Sequence, residues 1–519
     1  MRRGDTLPRH QDRTSADGGM AEVTRASIDS ADPPGVPGPA GVPGSARPAD
    51  GSETHGTIEL PNPSSPIERV MSTVIRKLAW SRLADPRVAV SVAGLGLLLG
   101  ILVGATAPNT ATLQIRLPLS HLLPSLSHYN ALTLTILYAG DILACLGLAG
   151  MLWAHSQGWR PNARHLLLVS AGVVAVMVCL TPVGSSDTAS YAAYGRISAL
   201  GKNPYQVSPL KGLGTHSEYY QVIGDVWKKT ASVYGPVATA VQRFAASIGG
   251  ANAITTIWVL MILNGVVFIG VGWLLLKTSD DPVRATLLWT ANPVIIQQLV
   301  SGGHLDTFLA GAAICAIQVA RRYPGRWGDV LAGVLIGLGC GIKANFILVA
   351  VGLAWPMLRR HEWLRLTRIA AVSIVTLALL YSPYGFAAVK PLLGGTKLVI
   401  LPSPWRIFEV VGHGLGVSSA AMSMIITVLW PIAMIVVAWL IYQRISSDQP
   451  REVVAPFALT YAWILVAPWV FPWYTALAWV ALTQVPRNRM TRWLTIVTVL
   501  LAIWHSGGGQ NLVGPAGAA

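Results

Sequence analysis

Asp187 stands where a long apolar run ends and a polar stretch begins, in Gly184-Ser185-Ser186-Asp187-Thr188-Ala189-Ser190-Tyr191-Ala192-Ala193-Tyr194-Gly195-Arg196. A carboxylate followed by a Tyr- and Gly-rich polar stretch at the exit of a membrane span marks acid–base or cation-binding chemistry at a bilayer surface. Read at 100° per residue, Asp187, Tyr191, Tyr194 and Ser198 share one helix face, at spacings of 4, 3 and 4. Ser185 or Ser186 can cap that helix, and Gly201 with Asn203-Pro204 supplies its stop. Arg196 falls about 180° from Asp187 on the same wheel, so the two cannot pair along the helix. A second reading, in which Asp187 only caps the helix and answers its dipole, is left open by these residues alone.

The elements that must hold this stretch are membrane spans. Of 519 residues, 52% are hydrophobic and 12% charged, with a mean hydropathy of +0.51. A soluble chain carries about 25% charged residues. Apolar runs near 20 residues recur, each long enough for about 30 Å of hydrocarbon. An all-α polytopic membrane protein is expected. The net charge of +15 does not point to nucleic acid, because Lys and Arg sit in short connections between spans. Cys145, Cys179, Cys315 and Cys340 are far apart inside apolar runs and read as packing residues, with no metal or disulfide spacing.

Residues 1–70, rich in Pro, Gly, Ser and Asp, are expected to be a disordered cytoplasmic tail. They show no signal-peptide core, so the first span itself would direct insertion. A basic approach, Arg76-Lys77-Leu78-Ala79-Trp80-Ser81-Arg82, then opens the 71–510 membrane domain. About thirteen spans are predicted, near 88–107, 131–153, 165–184, 253–276, 285–301, 305–320, 328–342, 346–357, 366–385, 420–442, 453–470, 472–485 and 491–506. Several are short enough to be broken or re-entrant. Basic residues cluster in alternate connections: 154–164, 277–284, 321–327, 358–365, 443–452 and 486–490. These are expected to face the cytoplasm. The alternation holds only if the apolar stretch 232–249 lies along the membrane instead of crossing it. The 185–252 loop, Ser301-Gly302-Gly303-His304-Leu305-Asp306, the 386–419 loop and the turn carrying Lys343 then share the opposite, non-cytoplasmic face.

Ser-Asp-x3-Tyr-x2-Tyr-Gly-Arg-x4-Gly-x-Asn-Pro-Tyr-x3-Pro, running from Ser186 to Pro209, resembles the signature of actinobacterial polyprenol-phosphate-mannose-dependent α-1,6-mannosyltransferases, multispanning enzymes of the GT-C class. Tyr234-Gly235-Pro236 matches that family's Tyr-Gly-Pro. Gly303-His304-Leu305-Asp306 is similar to its Gly-His-Asn-Asp, with Leu305 in place of the usual Asn, and Gly341-Ile342-Lys343 to its Lys-bearing helix turn. The likeness covers about residues 85 to 510.

The resemblance implies a GT-C-like bundle in the plasma membrane, with its site on the non-cytoplasmic face. It implies mannose transfer from a polyprenyl-phosphate donor to a cell-envelope glycan or lipoglycan acceptor. Such a transfer needs a base for the acceptor hydroxyl and cations for the departing phosphate. Asp187 suits the first role. Lys343, Arg196, Lys202, His304 and Arg406 are the phosphate-side candidates, Lys343 foremost, since an ammonium among apolar spans is costly without an anionic partner. Asp306 would orient the acceptor and Asn203 belongs to the motif. Tyr191, Tyr194, Tyr205, Tyr219, Tyr220 and Trp227 could stack on sugars or form an interfacial aromatic belt.

No protein-built metal cage is expected; a divalent cation bridging Asp187 and the donor phosphate stays open. Asp141, midway along the second span, is expected to be a packed residue with a satisfied partner. The cluster Trp469-Val470-Phe471-Pro472-Trp473-Tyr474 could line a lipid-chain groove or anchor at the interface. Two other functions fit the same spans: an arabinofuranosyl or other pentosyl transferase, and a lipid-linked-sugar transporter. The transporter would call for inverted repeats and paired acids within spans, and neither is seen.

Overall fold

The computed structural model describes residues 84–505, apart from 108–112, 114, 126–129, 391–398, 401 and 446. The tail expected at 1–70 and the basic approach at 76–82 lie outside the described residues, as does part of the 386–419 loop. Among the described residues the regular secondary structure is helical throughout.

Five helices are long and apolar enough to cross a bilayer: Pro86–Thr106, Ala131–Ser156, Ala253–Thr278, Trp363–Tyr381 and Ser419–Arg444. Their outer faces stay apolar. Ile374, Val375 and Leu379 on one, and Val428, Ile432 and Ile435 on another, are exposed, as suits a helix solvated by hydrocarbon. The other expected spans are shorter. The 285–301 run breaks into Pro282–Leu288, Pro293–Ile295 and the π-turn Ile296–Ser301. The break sits at Asn292-Pro293, where proline lacks an N–H and disfavours helix in the residue before it. The Asn292 Oδ1 accepts from the amides of Val294 and Ile295 and starts the helix anew. Pro472 opens the 472–485 run, which folds as the short turn Pro472–Thr475 followed by the helix Ala476–Leu482.

Two 17-residue helices, Asp306–Arg322 and Arg326–Ile342, set the geometry that matters most. Each is about 25 Å long, and a short turn between them makes them antiparallel neighbours. Asp306 at the start of the first therefore returns to Lys343 at the end of the second. Their other ends carry the basic connection. There the Arg322 guanidinium donates to the Thr278 carbonyl, Arg365 donates to the Ala320 carbonyl, and Arg284 donates to the Val485 carbonyl at 2.7 Å. The His155 ring lies 2.8 Å from Asp281. Several Lys/Arg connections are thus tied together at one end of the bundle, away from Asp306 and Lys343.

The 185–252 segment is not a peripheral loop. Its first helix, Asp187–Ala199, is buried along most of its length. Ala189, Ala192, Ala193 and Gly195 make it narrow enough to be enclosed: a Cβ on Gly195 would lie 2.2 Å from the Gln242 carbonyl oxygen. Gln242 belongs to Pro236–Gly249, the helix formed by the apolar stretch expected to lie along the membrane.

Candidate active site

Asp187 begins its helix, and its amide donates to the Ser185 Oγ at 3.1 Å. Ser185, two residues back, thus answers one of the helix's unpaired N–H groups. The Tyr191 hydroxyl, one turn on, donates to the Asp187 Oδ2 at 3.3 Å. Burial, and then the charge of Asp187, push the Tyr191 hydroxyl well above its ordinary value, so it remains a donor. The Tyr191 ring meets Tyr234 edge-on at 4.9 Å. Tyr234 opens Tyr-Gly-Pro, and that motif docks main chain to main chain: the Gly235 amide donates to the Ile342 carbonyl at 3.0 Å. A Cβ at Gly235 would stand 2.2 Å from the Gly341 carbonyl oxygen, so only glycine allows the contact. The Asp187 helix and the Lys343 turn are thereby held in register.

His304 arrives from the opposite wall. Its Nδ1 lies 3.6 Å from the Asp187 Oδ2, its ring is buried, and Trp473 stacks on it at 3.8 Å and 12°. The Asn264 Nδ2 donates to the His304 carbonyl at 2.5 Å and to the Thr307 Oγ1 at 3.1 Å, fixing the turn. Gly303 makes the turn possible, with φ +65° and Thr188 and Met261 crowded where a Cβ would be. Leu305 is buried, so this position packs apolar surface. Beyond the turn, the Lys343 Nζ lies 3.1 and 3.0 Å from the two Asp306 oxygens and 3.8 Å above the Tyr474 ring centre. The anionic partner this ammonium requires is already present.

Burial by itself would push the Asp187 carboxyl up. His304, with Lys343 and His505 behind it, outweighs that and holds the carboxyl below its ordinary value of 3.8. Asp187 is therefore ionised at neutral pH, a competent proton acceptor within the field of the Lys343 ammonium.

Of the residues singled out by sequence, the structure brings together Asp187, Tyr191, His304, Asp306 and Lys343. Tyr194, one turn beyond Tyr191, is fully buried and its hydroxyl donates to the Thr230 carbonyl at 3.0 Å. Tyr205 pairs with the Thr239 Oγ1 at 2.8 Å and packs on Tyr384. Tyr191, Tyr194 and Tyr205 are 1%, 0% and 5% exposed. Stacking on a sugar needs an open ring face, and in this structure these three rings are enclosed by protein. Arg196 lies nine residues along the Asp187 helix, about 13 Å on, where its charge acts on Tyr219. Lys202 donates to the Gly212 carbonyl at 2.7 Å. Asn203 accepts from the Tyr205 amide at 3.0 Å in a local turn. Arg406 pairs with Glu409 at 2.6 Å. These four have local or structural partners in place of the Asp187 centre. Trp473, Tyr474 and His505 join it instead, His505 lying 4.9 Å from the Trp473 ring. Only the polar-tipped aromatics around Pro472 hinted at this. Among the described residues no group of three His, Cys, Asp or Glu side chains is placed to hold a metal.

Residues 89–359, more than half of the chain, match the family described as alpha-(1->6)-mannopyranosyltransferase, N-terminal domain. The probable alpha-(1->6)-mannopyranosyltransferase of Mycolicibacterium smegmatis is 27% identical over 247 residues, covering 46% of this chain and 40% of the relative. The alpha-(1->6)-mannopyranosyltransferase A of Mycobacterium tuberculosis is 24% identical over 323 residues, 58% of this chain and 61% of the relative. The chain thus spans less than two thirds of the length of these curated relatives. No solved structure matches. The matched stretch contains Asp187, Tyr191, Tyr234, His304, Asp306 and Lys343, and the chain belongs to the alpha-(1->6)-mannopyranosyltransferase family.

Proposed function

We propose that this protein is an integral-membrane mannosyltransferase of GT-C-like architecture. It would move mannose from a polyprenyl-phosphate donor to a cell-envelope glycan or lipoglycan and form an α-1,6 linkage with inversion. One observation carries the reading. Within a bundle of apolar helices, an ionised carboxylate, Asp187, faces His304 and a Lys343–Asp306 pair in a single polar centre. A donor with a phosphate and an acceptor with a hydroxyl are what such a centre serves.

In the proposed reaction the acceptor hydroxyl oxygen forms a bond to the anomeric carbon. The carbon–oxygen bond to phosphate breaks, its electron pair leaving with the polyprenyl phosphate. Asp187 takes the hydroxyl proton, with Tyr191 holding its carboxylate. Lys343 and His304 answer the charge on the leaving phosphate. One displacement needs one essential carboxylate, whereas retention would call for a nucleophile as well. The Lys/Arg connections gathered at the other end of the bundle support a plasma-membrane topology with this centre on the non-cytoplasmic face. The further spans in the expected count of about thirteen would be the shorter helices.

Membranes containing the full chain, given radiolabelled polyprenyl-phosphate mannose or arabinose, test this directly. Label from the mannose donor should enter an α-1,6-linked product. Label entering only from the arabinose donor would replace the reading with the pentosyl one. Transport of intact donor without transfer would refute both.

A further inference from the structure

Trp473 and Tyr474 are consecutive residues in the short turn Pro472–Thr475, and each touches one of the two groups assigned to the phosphate side. Trp473 stacks on the His304 ring at 3.8 Å and 12°. The Tyr474 ring centre lies 3.8 Å from the Lys343 Nζ. The two rings are 6.2 Å apart and nearly perpendicular, at 87°. The turn that carries them is braced. Pro472 opens it, the Tyr474 amide donates to the Phe471 carbonyl at 3.0 Å, and the Thr475 hydroxyl donates to the Pro472 carbonyl at 2.7 Å. Phe471 stacks on Trp473 at 4.8 Å and 12°, and Trp463 stacks on Tyr474 at 5.3 Å and 21°. Both residues lie beyond 89–359, the stretch that matches the family.

Asp306 alone does not fix the Lys343 ammonium. A lysine end group rides on a flexible carbon stem and donates three N–H groups, of which the two Asp306 oxygens can take up two. The Tyr474 ring face attracts the remaining positive charge. A second carboxylate there would also hold the ammonium, but it would repel a phosphate. A ring holds the ammonium and adds no negative charge. Stacking does the equivalent for His304, since it takes up a face of the imidazole and leaves both nitrogens at the ring edge. We infer that Trp473-Tyr474 is a positioning clamp, two neighbouring rings that set the His304 ring and the Lys343 ammonium in place to receive the donor's phosphate. The inference rests on the transferase reading above and adds that the C-terminal part of the chain completes the phosphate side.

The test uses the full chain in detergent micelles with undecaprenyl phosphate, a leaving group without its sugar, as the probe, its Kd read by thermophoresis. Tyr474→Leu should weaken binding by roughly fivefold to thirtyfold, the loss of one desolvated cation–π contact. The acceptor KM in the transfer assay should stay within about threefold. Tyr474→Phe keeps the ring and should bind within about threefold of the wild type. In the Lys343→Met/Asp306→Leu background, Tyr474→Leu should change binding no further, because the ring acts through the ammonium. Trp473→Leu should likewise weaken binding and add nothing in a His304→Gln background. A folded Tyr474→Leu protein with a wild-type Kd overturns the inference. So does an equal loss in the Lys343→Met/Asp306→Leu background, or an equal loss in Tyr474→Phe. A readout without substrate separates the clamp from the reaction: the rate at which acetic anhydride acetylates Lys343, followed by peptide mass spectrometry. Tyr474→Leu should raise that rate severalfold and Tyr474→Phe should not; an unchanged rate in Tyr474→Leu refutes the clamp. If the rate rises while the wild type binds no undecaprenyl phosphate, the transferase reading fails and the clamp on Lys343 stands.

Discussion

Replacing the Lys343–Asp306 pair separates what the fold needs from what the reaction needs. Asp306 is 1% exposed and Lys343 is 16% exposed at the side chain, with an Nζ–oxygen distance of 3.0 Å. At an effective dielectric of about 20, two unit charges at that distance attract by about 5–6 kcal/mol. Removing one partner leaves the other buried without compensation, so Lys343→Met and Asp306→Leu should each cost about 3–5 kcal/mol of stability. The double variant Lys343→Met/Asp306→Leu replaces both charges by apolar volume and should return to within about 1 kcal/mol of the wild type. Function should not return with it, because the cation for the departing phosphate is gone. Thermal unfolding in detergent micelles orders the four proteins, and donor-dependent transfer measures the second effect. Two results would refute the reasoning. A Lys343→Met protein that melts with the wild type shows that the pair contributes nothing to the fold. A double variant with a wild-type donor KM removes Lys343 from the phosphate side.

Asp187→Asn keeps shape and removes the base, so turnover in the membrane assay should fall by roughly two orders of magnitude or more while the protein still folds. Glu218→Gln should be mild, since the glutamine oxygen can still accept from the Ala253 amide; Asp225→Asn, at a 92% exposed side chain, should be mild too. The pH profile follows from the depressed Asp187 carboxyl. A folded value below the unfolded one means that ionisation stabilises the fold above the unfolded value, and that this is lost only as pH falls through the folded one. The acid limb that Asp187 sets in log kcat/KM should therefore lie below the ordinary carboxyl value of 3.8. His304→Gln removes the strongest opposition to burial and should bring that limb up in pH. Gly235→Ala drives a Cβ into the Gly341 backbone and should cost about 3 kcal/mol or more. Gly184→Ala meets open space at φ +82° and should cost only about 1–2 kcal/mol of backbone strain; melting curves of the two compare them.

Sequence periodicity was enough for the long apolar helices, and the proline break at Asn292-Pro293 follows from the missing N–H. The Asp187 helix itself was legible, down to the face shared by Asp187 and Tyr191. Its burial was not, because a stretch of Ser, Ala, Tyr and Gly reads as a polar surface when its neighbours are unknown. Small side chains here serve close helix contact, which Gly195 against Gln242 demonstrates. Asp306 and Lys343 each stood out singly, but their pairing depends on two helices of equal length running back along each other. Trp473 and His505 reach the centre from the far end of the chain, and no local pattern announces that. Arg196 shows the converse: it sits inside the most specific motif, yet helical geometry carries it away from the carboxylate.

The enclosure of the Asp187 helix also decides what must travel. A carboxylate on an outer loop could swing toward whichever hydroxyl was offered. Here the helix is wedged between neighbours with backbone against backbone at Gly195, so the carboxylate has a fixed address within the helix bundle. Under the proposed reaction, both partners have to be delivered to it, the donor by the reach of its lipid tail and the acceptor by the reach of its glycan. The choice of hydroxyl then becomes a matter of docking depth: the position that gains the new bond is the one left standing at Asp187 once the preceding sugar is seated. Linkage selectivity would thus be altered by reshaping the walls that seat the acceptor, with the carboxylate left where it is.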